Sequence, residues 1–277
     1  MATARGFLRI FGFLLLTLLL APLQALALRA GWGLAERLPM LYHRLVLRLL
    51  GIRLRLHGEP TAARPTLFVP NHASSLDIPV LGAVLHGSFV AKAEIAGWPG
   101  FGLLAKLQRS IFVDRKAGSV NRHRNEMTER LQAGGNVILF PEGTSSDGNR
   151  ILPFKSALFS AAEVMTPDGR PVTVQAVTVA CTEVEGLPSG RAGRRDVYGW
   201  FGDMELVPHL WGVLRRSSLT VEIEFHPPTA LAAHGSRKAL ADHCWRQVAG
   251  GFAVAVSGRR PAAEPRPAAV GGLATAQ

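Results

Sequence analysis

A histidine and an aspartate, close together in the sequence, are the pair best suited to acid–base chemistry. His72 and Asp77 flank a short polar stretch that follows an apolar run ending at Pro70. A carboxylate on one ring nitrogen fixes the histidine tautomer, so the other nitrogen is left to take a proton from a substrate hydroxyl. The same spacing also fits a loop histidine bonded to a helix-capping aspartate, and this pair alone favours that structural interpretation, because chance matches are common.

Two further stretches place polar residues directly after apolar runs. Arg115 follows such a run at residues 111–113, where its planar guanidinium is suited to a phosphate or carboxylate. Glu142 and Gly143 follow another run, at residues 137–140, and the glycine lets backbone approach a ligand closely. If the runs are strands, their ends meet the histidine at the sheet rim where ligands bind. Taken separately, the first stretch also fits an Asp114–Arg115 ion pair at the surface, and the second also fits an ordinary loop after a strand.

Together and in this order, the stretches resemble the motifs of the glycerolipid acyltransferase family, which includes the 1-acylglycerol-3-phosphate acyltransferases. The first is similar to the family's Asn-His-x4-Asp block, the second to its Ile-Phe-Val-Asp-Arg block and the third to its Phe-Pro-Glu-Gly-Thr block, with Pro-Phe-Lys after it. The matching residues are 71–77, 111–115, 140–144 and 153–155. The resemblance extends in spacing over about residues 50–230, and the apolar N-terminal segment fits it too.

The resemblance implies an enzyme that moves a fatty acyl group from an acyl-carrier-protein or acyl-CoA thioester to the hydroxyl of a lysolipid. It implies that His72 deprotonates this hydroxyl and that Asp77 orients His72. The residues that it implies for substrate binding are Arg115, Glu142, Gly143, Thr144, Ser145 and Lys155. It implies no metal, and no cofactor besides the thioester co-substrate.

Ser145 departs from the family pattern, which has an arginine after Glu-Gly-Thr. Because serine offers one neutral donor in place of a charged fork, we expect weaker phosphate binding here. Residues 142–159 and 200–210 resemble a narrower group, the lyso-ornithine lipid acyltransferases. Their acceptor has a hydroxylated acyl chain on ornithine and no phosphate. The resemblance therefore favours lyso-ornithine lipid as the acceptor, with 1-acylglycerol 3-phosphate as the alternative.

The segments that must position these residues alternate between strand-like and helix-like patterns. Strands are predicted at residues 53–57, 66–69, 88–91, 111–114, 137–140, 172–180 and 219–225. Helices are predicted at residues 75–84, 101–107, 120–133, 157–165 and 237–248, the first capped by Ser74 or Ser75. This alternation predicts an α/β sandwich with a central, mostly parallel or mixed sheet flanked by helices. The strand at 219–225 is expected to have one solvent-exposed face, near a sheet edge.

The predicted organisation begins with membrane-associating helices at residues 1–50, which precede an acyltransferase domain at 51–257 and a disordered tail at 258–277. Residues 10–28 carry no charge and have about the length that a helix needs to cross a hydrocarbon core. A spanning anchor and a monotopic helix both fit. A cleaved signal peptide fits least, because the implied acyl donor is cytoplasmic. We expect a bacterial-type inner membrane, with the active site facing the cytoplasm.

The net charge of +11 fits either nucleic acid or an anionic membrane. The first 60 residues hold eight of the 31 basic residues but two of the 20 acidic ones, and leucine, isoleucine and phenylalanine lie between them. This mixture favours membrane lipid as a partner and not nucleic acid. The two cysteines, Cys181 and Cys244, supply neither a disulfide framework nor a four-ligand zinc site.

Two other classes of function are open on the sequence. A lipid or thioester hydrolase with a serine nucleophile would use the same histidine, but the Gly-x-Ser-x-Gly motif is missing from the sequence. A membrane-tethered binding protein would explain the N-terminus but not three ordered motifs at strand ends. Hydrolysis of a thioester without an acceptor would support the hydrolase.

Overall fold

The structure, a computed structural model, describes residues 1–113, 120–190 and 194–258. Its helices are α1 (Ala2–Arg29), α2 (Leu34–Leu50), α3 (Asp77–Gly82), α4 (Phe101–Leu107), α5 (Val120–Gln132), α6 (Leu206–Leu214) and α7 (Arg237–Ser257). Its strands are β1 (Ile52–His57), β2 (Thr66–Pro70), β3 (Ser88–Lys92), β4 (Ile111–Val113), β5 (Val137–Ile138), β6 (Thr173–Val184), β7 (Leu187–Pro188) and β8 (Leu219–Phe225). Short 3-10 segments occupy Ala93–Gly97, Ser156–Glu163, Arg194–Val197 and Leu231–Ala233.

The described strands form one mixed sheet in the order β1-β8-β6-β2-β5-β3-β4, with β7 paired to β6. Neighbours along this order run parallel, except that β6 and β8 run antiparallel. β2 lies in the middle, and its apolar sequence fits a position in which every residue is buried. The predicted α/β architecture with a central mixed sheet is confirmed.

Helices cover both faces of the sheet, since successive side chains of a strand point to opposite sides. On one face, α2, α3 and α6 contribute Leu47, Leu81 and Val213 to the core. On the other face, α5 and α7 contribute Leu131 and Leu240. The two layers leave the loops at the carboxyl ends of the parallel strands free to form a site.

The prediction that β8 has a solvent-exposed face is wrong. β8 lies between β1 and β6, and all its residues except Glu224 are buried. The buried Glu222 accepts a hydrogen bond from Thr182 Oγ1 at 3.2 Å and lies 3.2 Å from His57 Nε2 and 3.6 Å from the Arg55 guanidinium. A carboxylate with such partners tolerates burial. The alternation of charged and apolar residues here reflects buried pairing and not contact with water.

Several predicted boundaries also differ from the structure. The helix after the histidine begins at Asp77 and not near Ser75, because the Asp77 carboxylate itself accepts the preceding backbone N–H groups. Ser156–Glu163 is a 3-10 segment and not an α-helix, and α6 was not predicted. α7 continues to Ser257. The predicted tail lies outside the described residues apart from Gly258.

α1 lies along the rest of the protein and does not extend away from it. Near its start Gly6 packs against α6. In its middle, Thr17 Oγ1 lies 2.9 Å from the Tyr42 hydroxyl of α2, and near its end Gln24 Nε2 donates to the Leu107 carbonyl oxygen at 3.0 Å. Among the described helices, α1 is the one long and apolar enough to cross a membrane, and 11% of its most apolar window is buried. Most of this window is therefore not buried by the rest of the protein.

Arg9 fixes α1 to the end of α6. Its guanidinium donates to the carbonyl oxygens of Leu214 at 3.1 Å, Arg216 at 2.6 Å and Ser217 at 3.1 Å. The last carbonyl groups of a helix lack partners within it, so a cation there satisfies them. Gly51 ends α2 with a φ of +71°, and a Cβ at this position would lie 2.5 Å from Arg9 Nη2. The turn and the close contact therefore both require glycine.

Candidate active site

The structure brings His72 and Asp77 together at the carboxyl end of β2. His72 Nδ1 lies 2.8 Å from Asp77 Oδ2. The same oxygen accepts the backbone N–H of Ala73 at 2.8 Å and of Ser74 at 2.9 Å, and Oδ1 accepts the Tyr198 hydroxyl at 2.6 Å. Asp77 is fully buried, and these donors compensate for the water that its carboxylate has lost. The imidazole is thus oriented by a carboxylate that is itself held in place.

The ring of His72 is the exposed member of the pair, since 20% of its side chain is accessible whereas that of Asp77 is covered. One face of the ring stacks on Phe140, with ring centroids 4.0 Å apart and planes inclined by 23°. With Nδ1 directed at the carboxylate, the neutral tautomer carries its lone pair on Nε2. Nε2 is therefore the nitrogen that can act as a base.

The loop that carries the histidine is held by its neighbours. The Asn71 side chain donates to the Val179 carbonyl oxygen at 2.9 Å and accepts the Val179 N–H at 2.8 Å. Ser146 N donates to the His72 carbonyl oxygen at 2.8 Å. Asn71 therefore continues the pairing of β2 with β6 beyond the last residue of the strand, and the loop has little freedom to shift.

Glu142 braces this loop from inside. Oε1 accepts the N–H of His72 at 2.7 Å, Oε2 accepts the N–H of Leu152 at 2.9 Å, and the residue is 1% exposed. Burial raises the pKa of Glu142 to about 7, although the two N–H bonds oppose the rise, and the charge of Asp77 adds to it. The resemblance implied that Glu142 binds the acceptor, but the protein's own amides surround its carboxylate. Its position supports the histidine loop, and the implied role of Glu142 in acceptor binding stays a prediction.

The other residues implied for substrate binding fall into separate places. Those that line a cavity shared with His72 are Gly143, Thr144 and Ser145. Lys155 is exposed, and a Cβ placed on Gly143, whose φ is +69°, would lie 2.8 Å from its Nζ. Lys155 thus stands beside the cavity loop and not in its wall. Arg115 lies outside the described residues.

The cavity is a mostly apolar chamber of about 640 Å³ between the sheet and the N-terminal helices. Its volume is within the range of roughly 300–1,000 Å³ typical of small-molecule sites. The charged side chains among its described lining residues are Lys92 and Glu94, which are paired at 3.8 Å. The apolar wall comes from α1, α2, α4 and α6, and includes Ile10, Phe13, Leu38, Val46, Leu104 and Leu210. Such a wall suits a hydrocarbon chain, with the histidine in reach of its polar end.

Comparison with known proteins agrees with this geometry. A family model described as Acyltransferase matches residues 53–181. A protein of Brucella abortus (strain 2308), named lyso-ornithine lipid O-acyltransferase, is 45% identical over 242 residues, which are 86% of this chain and 90% of that protein. The chain belongs to the acyltransferase family. The predicted family is therefore confirmed.

A relative with the same name from Rhizobium meliloti (strain 1021) is 43% identical over 227 residues, or 81% of this acyltransferase and 77% of that protein. Among solved structures, the crystal structure of the 1-acyl-sn-glycerophosphate (LPA) acyltransferase, PlsC, from Thermotoga maritima matches with a TM-score of 0.60. The match covers 91% of this chain and 97% of that one at 22% identity. It shows that the two proteins share a fold.

Tyr198 belongs to the site but was not predicted from the sequence. It lies 121 positions after Asp77, so no local spacing connects the two residues. The nearest signal is the aromatic stretch at residues 200–210, which resembles the lyso-ornithine lipid group and begins just after it. The contact becomes evident only in the folded protein, where Trp200 N donates to the Ala73 carbonyl oxygen beside the histidine.

Proposed function

We propose that this protein transfers a fatty acyl group from a thioester to the hydroxyl of lyso-ornithine lipid. In the proposed step the acceptor oxygen attacks the thioester carbonyl carbon while His72 Nε2 takes the hydroxyl proton. The tetrahedral intermediate then collapses, the carbon–sulfur bond breaks, and the leaving thiolate takes that proton from His72. Asp77 offsets the charge on the imidazolium between these events. Since one histidine handles both proton transfers, the step calls for no metal or cofactor.

The observation that carries this proposal is the oriented histidine at the wall of an apolar cavity. The 2.8 Å contact between His72 Nδ1 and Asp77 Oδ2 prepares a base, and the cavity offers room for a fatty chain. A hydroxyl and a thioester carbonyl held together beside Nε2 would react as if at high effective concentration. The base thus acts on the substrate's own hydroxyl, so the proposed reaction needs no serine nucleophile.

Two features favour lyso-ornithine lipid as the acceptor. The relatives from Brucella abortus and Rhizobium meliloti, at 45% and 43% identity, carry the name lyso-ornithine lipid O-acyltransferase. In this chain Ser145 lines the cavity where the wider family pattern has an arginine. A serine hydroxyl cannot replace the paired, charged donors that a phosphate prefers. The alternative acceptor is 1-acylglycerol 3-phosphate, which would make the product phosphatidic acid.

The acceptor is tested by assaying the purified full-length protein with both lysolipids. We expect lyso-ornithine lipid to have the higher kcat/KM, and we expect Ser145→Arg to change the ratio of the two values by at least ~10-fold toward the phosphate acceptor. His72→Ala should lower turnover of either acceptor by at least ~10²-fold. Turnover of 1-acylglycerol 3-phosphate without any turnover of lyso-ornithine lipid would refute the proposed acceptor.

A hydrolase is the alternative from another class, and the same assay separates it. Release of free fatty acid from the thioester at an equal rate with and without acceptor would support hydrolysis and contradict transfer. We propose an acyl-carrier-protein or acyl-CoA thioester as the donor. Comparing the two thioesters of one fatty acid in parallel distinguishes them, and a donor that reacts at less than ~1% of the rate of the other would be excluded.

For the membrane, we propose that α1 lies in one leaflet of the inner membrane, with the active site facing the cytoplasm, where these thioesters are found. The side chains along one face of α1 are exposed, namely Phe7, Leu8, Phe11, Leu14, Leu15, Leu18 and Leu19. The opposite face packs on α2, α4 and α6 through Gly6, Thr17 and Gln24. A helix with one face in lipid and one on protein suits a monotopic position better than a free span.

A further inference from the structure

A tyrosine outside the family motifs reaches the buried side of the histidine–aspartate pair. Tyr198 follows the 3-10 segment Arg194–Val197 and is 3% exposed. Its hydroxyl donates to Asp77 Oδ1 at 2.6 Å, on the side of the carboxylate away from the imidazole. Burial raises the pKa of Tyr198 well above its usual value, and the charge of Asp77 adds to this rise. The phenol therefore keeps its proton and remains a donor.

The two carboxylate oxygens of Asp77 have different tasks. Oδ2 accepts the imidazole and the N–H groups of Ala73 and Ser74, whereas the hydroxyl of Tyr198 is the described donor to Oδ1. Rotation of a carboxylate about its last side-chain bond is soft, with broad, roughly two-fold minima. A bond to Oδ1 sets the plane of the group, and so the direction in which Oδ2 faces His72.

The tyrosine is itself held through the two residues that follow it. Trp200 N donates to the Ala73 carbonyl oxygen at 2.8 Å, so the segment is joined to the histidine loop. Gly199 packs against the next motif loop, where an added Cβ would lie 3.3 Å from the Asp147 carbonyl oxygen. The Trp200 side chain also lines the cavity. Residues 198–200 thus contact both loops, and these backbone contacts fix the position of the Tyr198 phenol.

We propose that Tyr198 is a positioning residue for acyl transfer, which acts by holding the Asp77 carboxylate in the plane that orients His72. This inference rests on the proposed function, since it assumes that His72 is the base. It adds a third member to the pair and places it on the segment that also borders the substrate cavity. The tyrosine touches neither substrate nor the reacting atoms, so its effect should appear in the rate of the chemical step and not in binding.

Tyr198→Phe tests this role, because it removes the hydroxyl and keeps the ring. We expect kcat to fall about 10-fold, the effect of losing one hydrogen bond to a charged group, while the KM for each substrate stays within about 2-fold. Thr220→Val is the matched control. Thr220 Oγ1 donates to Glu183 Oε2 at 2.8 Å from a position 5% exposed on β8, so the variant loses the same kind of bond elsewhere. Its kcat should not change.

A double-mutant cycle with Asp77→Ala shows whether the tyrosine acts through the aspartate. In that background the carboxylate that the tyrosine holds is already lost, so Tyr198→Phe should lower kcat by less than about 3-fold. An equal 10-fold loss in both backgrounds would overturn the proposal, as would a change in KM alone. The assays use whichever acceptor the wild type turns over. Failure of lyso-ornithine lipid as acceptor would therefore refute the proposed function and leave this test intact.

A second variant keeps the inference testable if Tyr198→Phe does not fold. Fluorinated tyrosines inserted at position 198 retain the ring and the hydroxyl but differ in phenol acidity. We expect kcat to change progressively with this acidity, at constant KM and constant midpoint of thermal unfolding. A kcat that is the same across the series would overturn the proposal, because a purely structural hydroxyl would not affect the chemical step.

Discussion

Asp77→Asn is the substitution that most directly tests how the site works. The Oδ2 position accepts the backbone N–H groups of Ala73 and Ser74, so the amide oxygen must occupy it. The amide nitrogen then faces the Tyr198 hydroxyl, which can rotate to accept it. The hydrogen bond from His72 Nδ1 is kept, and with it the tautomer. The substitution therefore removes the negative charge and leaves the geometry in place.

The expected loss follows from that charge. During the reaction His72 becomes an imidazolium whose Nδ1 lies 2.8 Å from Asp77 Oδ2. Two unit charges about 4 Å apart attract each other by about 4 kcal/mol at an effective dielectric constant of about 20. Since about 1.4 kcal/mol corresponds to a factor of ten in rate, kcat should fall by about three orders of magnitude.

The assay is single-turnover acyl transfer, compared with the midpoint of thermal unfolding of the same samples. Asp77→Asn should change the rate and hardly move the midpoint. Asp77→Ala should also lower the midpoint, since it leaves buried donors without a partner at about 1–3 kcal/mol each. Asp242→Asn is the control, because Asp242 pairs with Arg246 at 3.7 Å on the exposed face of α7. A rate within about 3-fold of wild type for Asp77→Asn would refute the reasoning.

Three further predictions concern pH and the membrane. Folding raises the pKa of Glu142 from 4.5 to about 7, so the midpoint of thermal unfolding of the wild type should fall as the pH rises through this window. Glu142→Gln should lack this fall, and the same pH dependence in both proteins would contradict the prediction. Burial lowers the pKa of His43 from 6.5 to about 4, so stability should fall as the pH falls through that window, and His43→Gln should weaken this acid dependence in the same measurement. Leu14 and Leu18 are 59% and 71% exposed, and changing both to glutamate should reduce sedimentation of the protein with lipid vesicles while the unfolding midpoint stays the same. Unchanged sedimentation would argue against α1 as the membrane-binding surface.

Features encoded in short stretches of sequence were predictable. The apolar runs located the strands, and the position of His72 after one of them placed it at the sheet rim. Its pairing with Asp77 needed only a tight local turn, so spacing was enough to suggest it. The order of the motifs then indicated the family, which the relatives confirm.

Features that depend on distant contacts were not predictable. Tyr198 reaches Asp77 from the end of the 3-10 segment Arg194–Val197, which contacts β6 and α6, and no periodicity in the sequence indicates these contacts. The support that Glu142 gives to the histidine loop was not predictable either, because its carboxylate accepts the amides of His72 and of the distant Leu152. Glu222 was expected on a solvent-exposed face, because the sequence of one strand does not show that His57 and Thr182 lie beside it on neighbouring strands. The implied role of Arg115 stays a prediction.

The docking of α1 has a practical consequence for work with this enzyme. The helix that is proposed to meet the lipid also supplies Ile10 and Phe13 to the cavity wall, and Arg9 ties it to the end of α6. Deleting it to obtain a more tractable catalytic fragment would open the chamber in which the acyl chain is proposed to lie. On this proposal, bilayer attachment and substrate enclosure both depend on α1, and a detergent that loosens the helix is expected to inhibit the enzyme before it unfolds it.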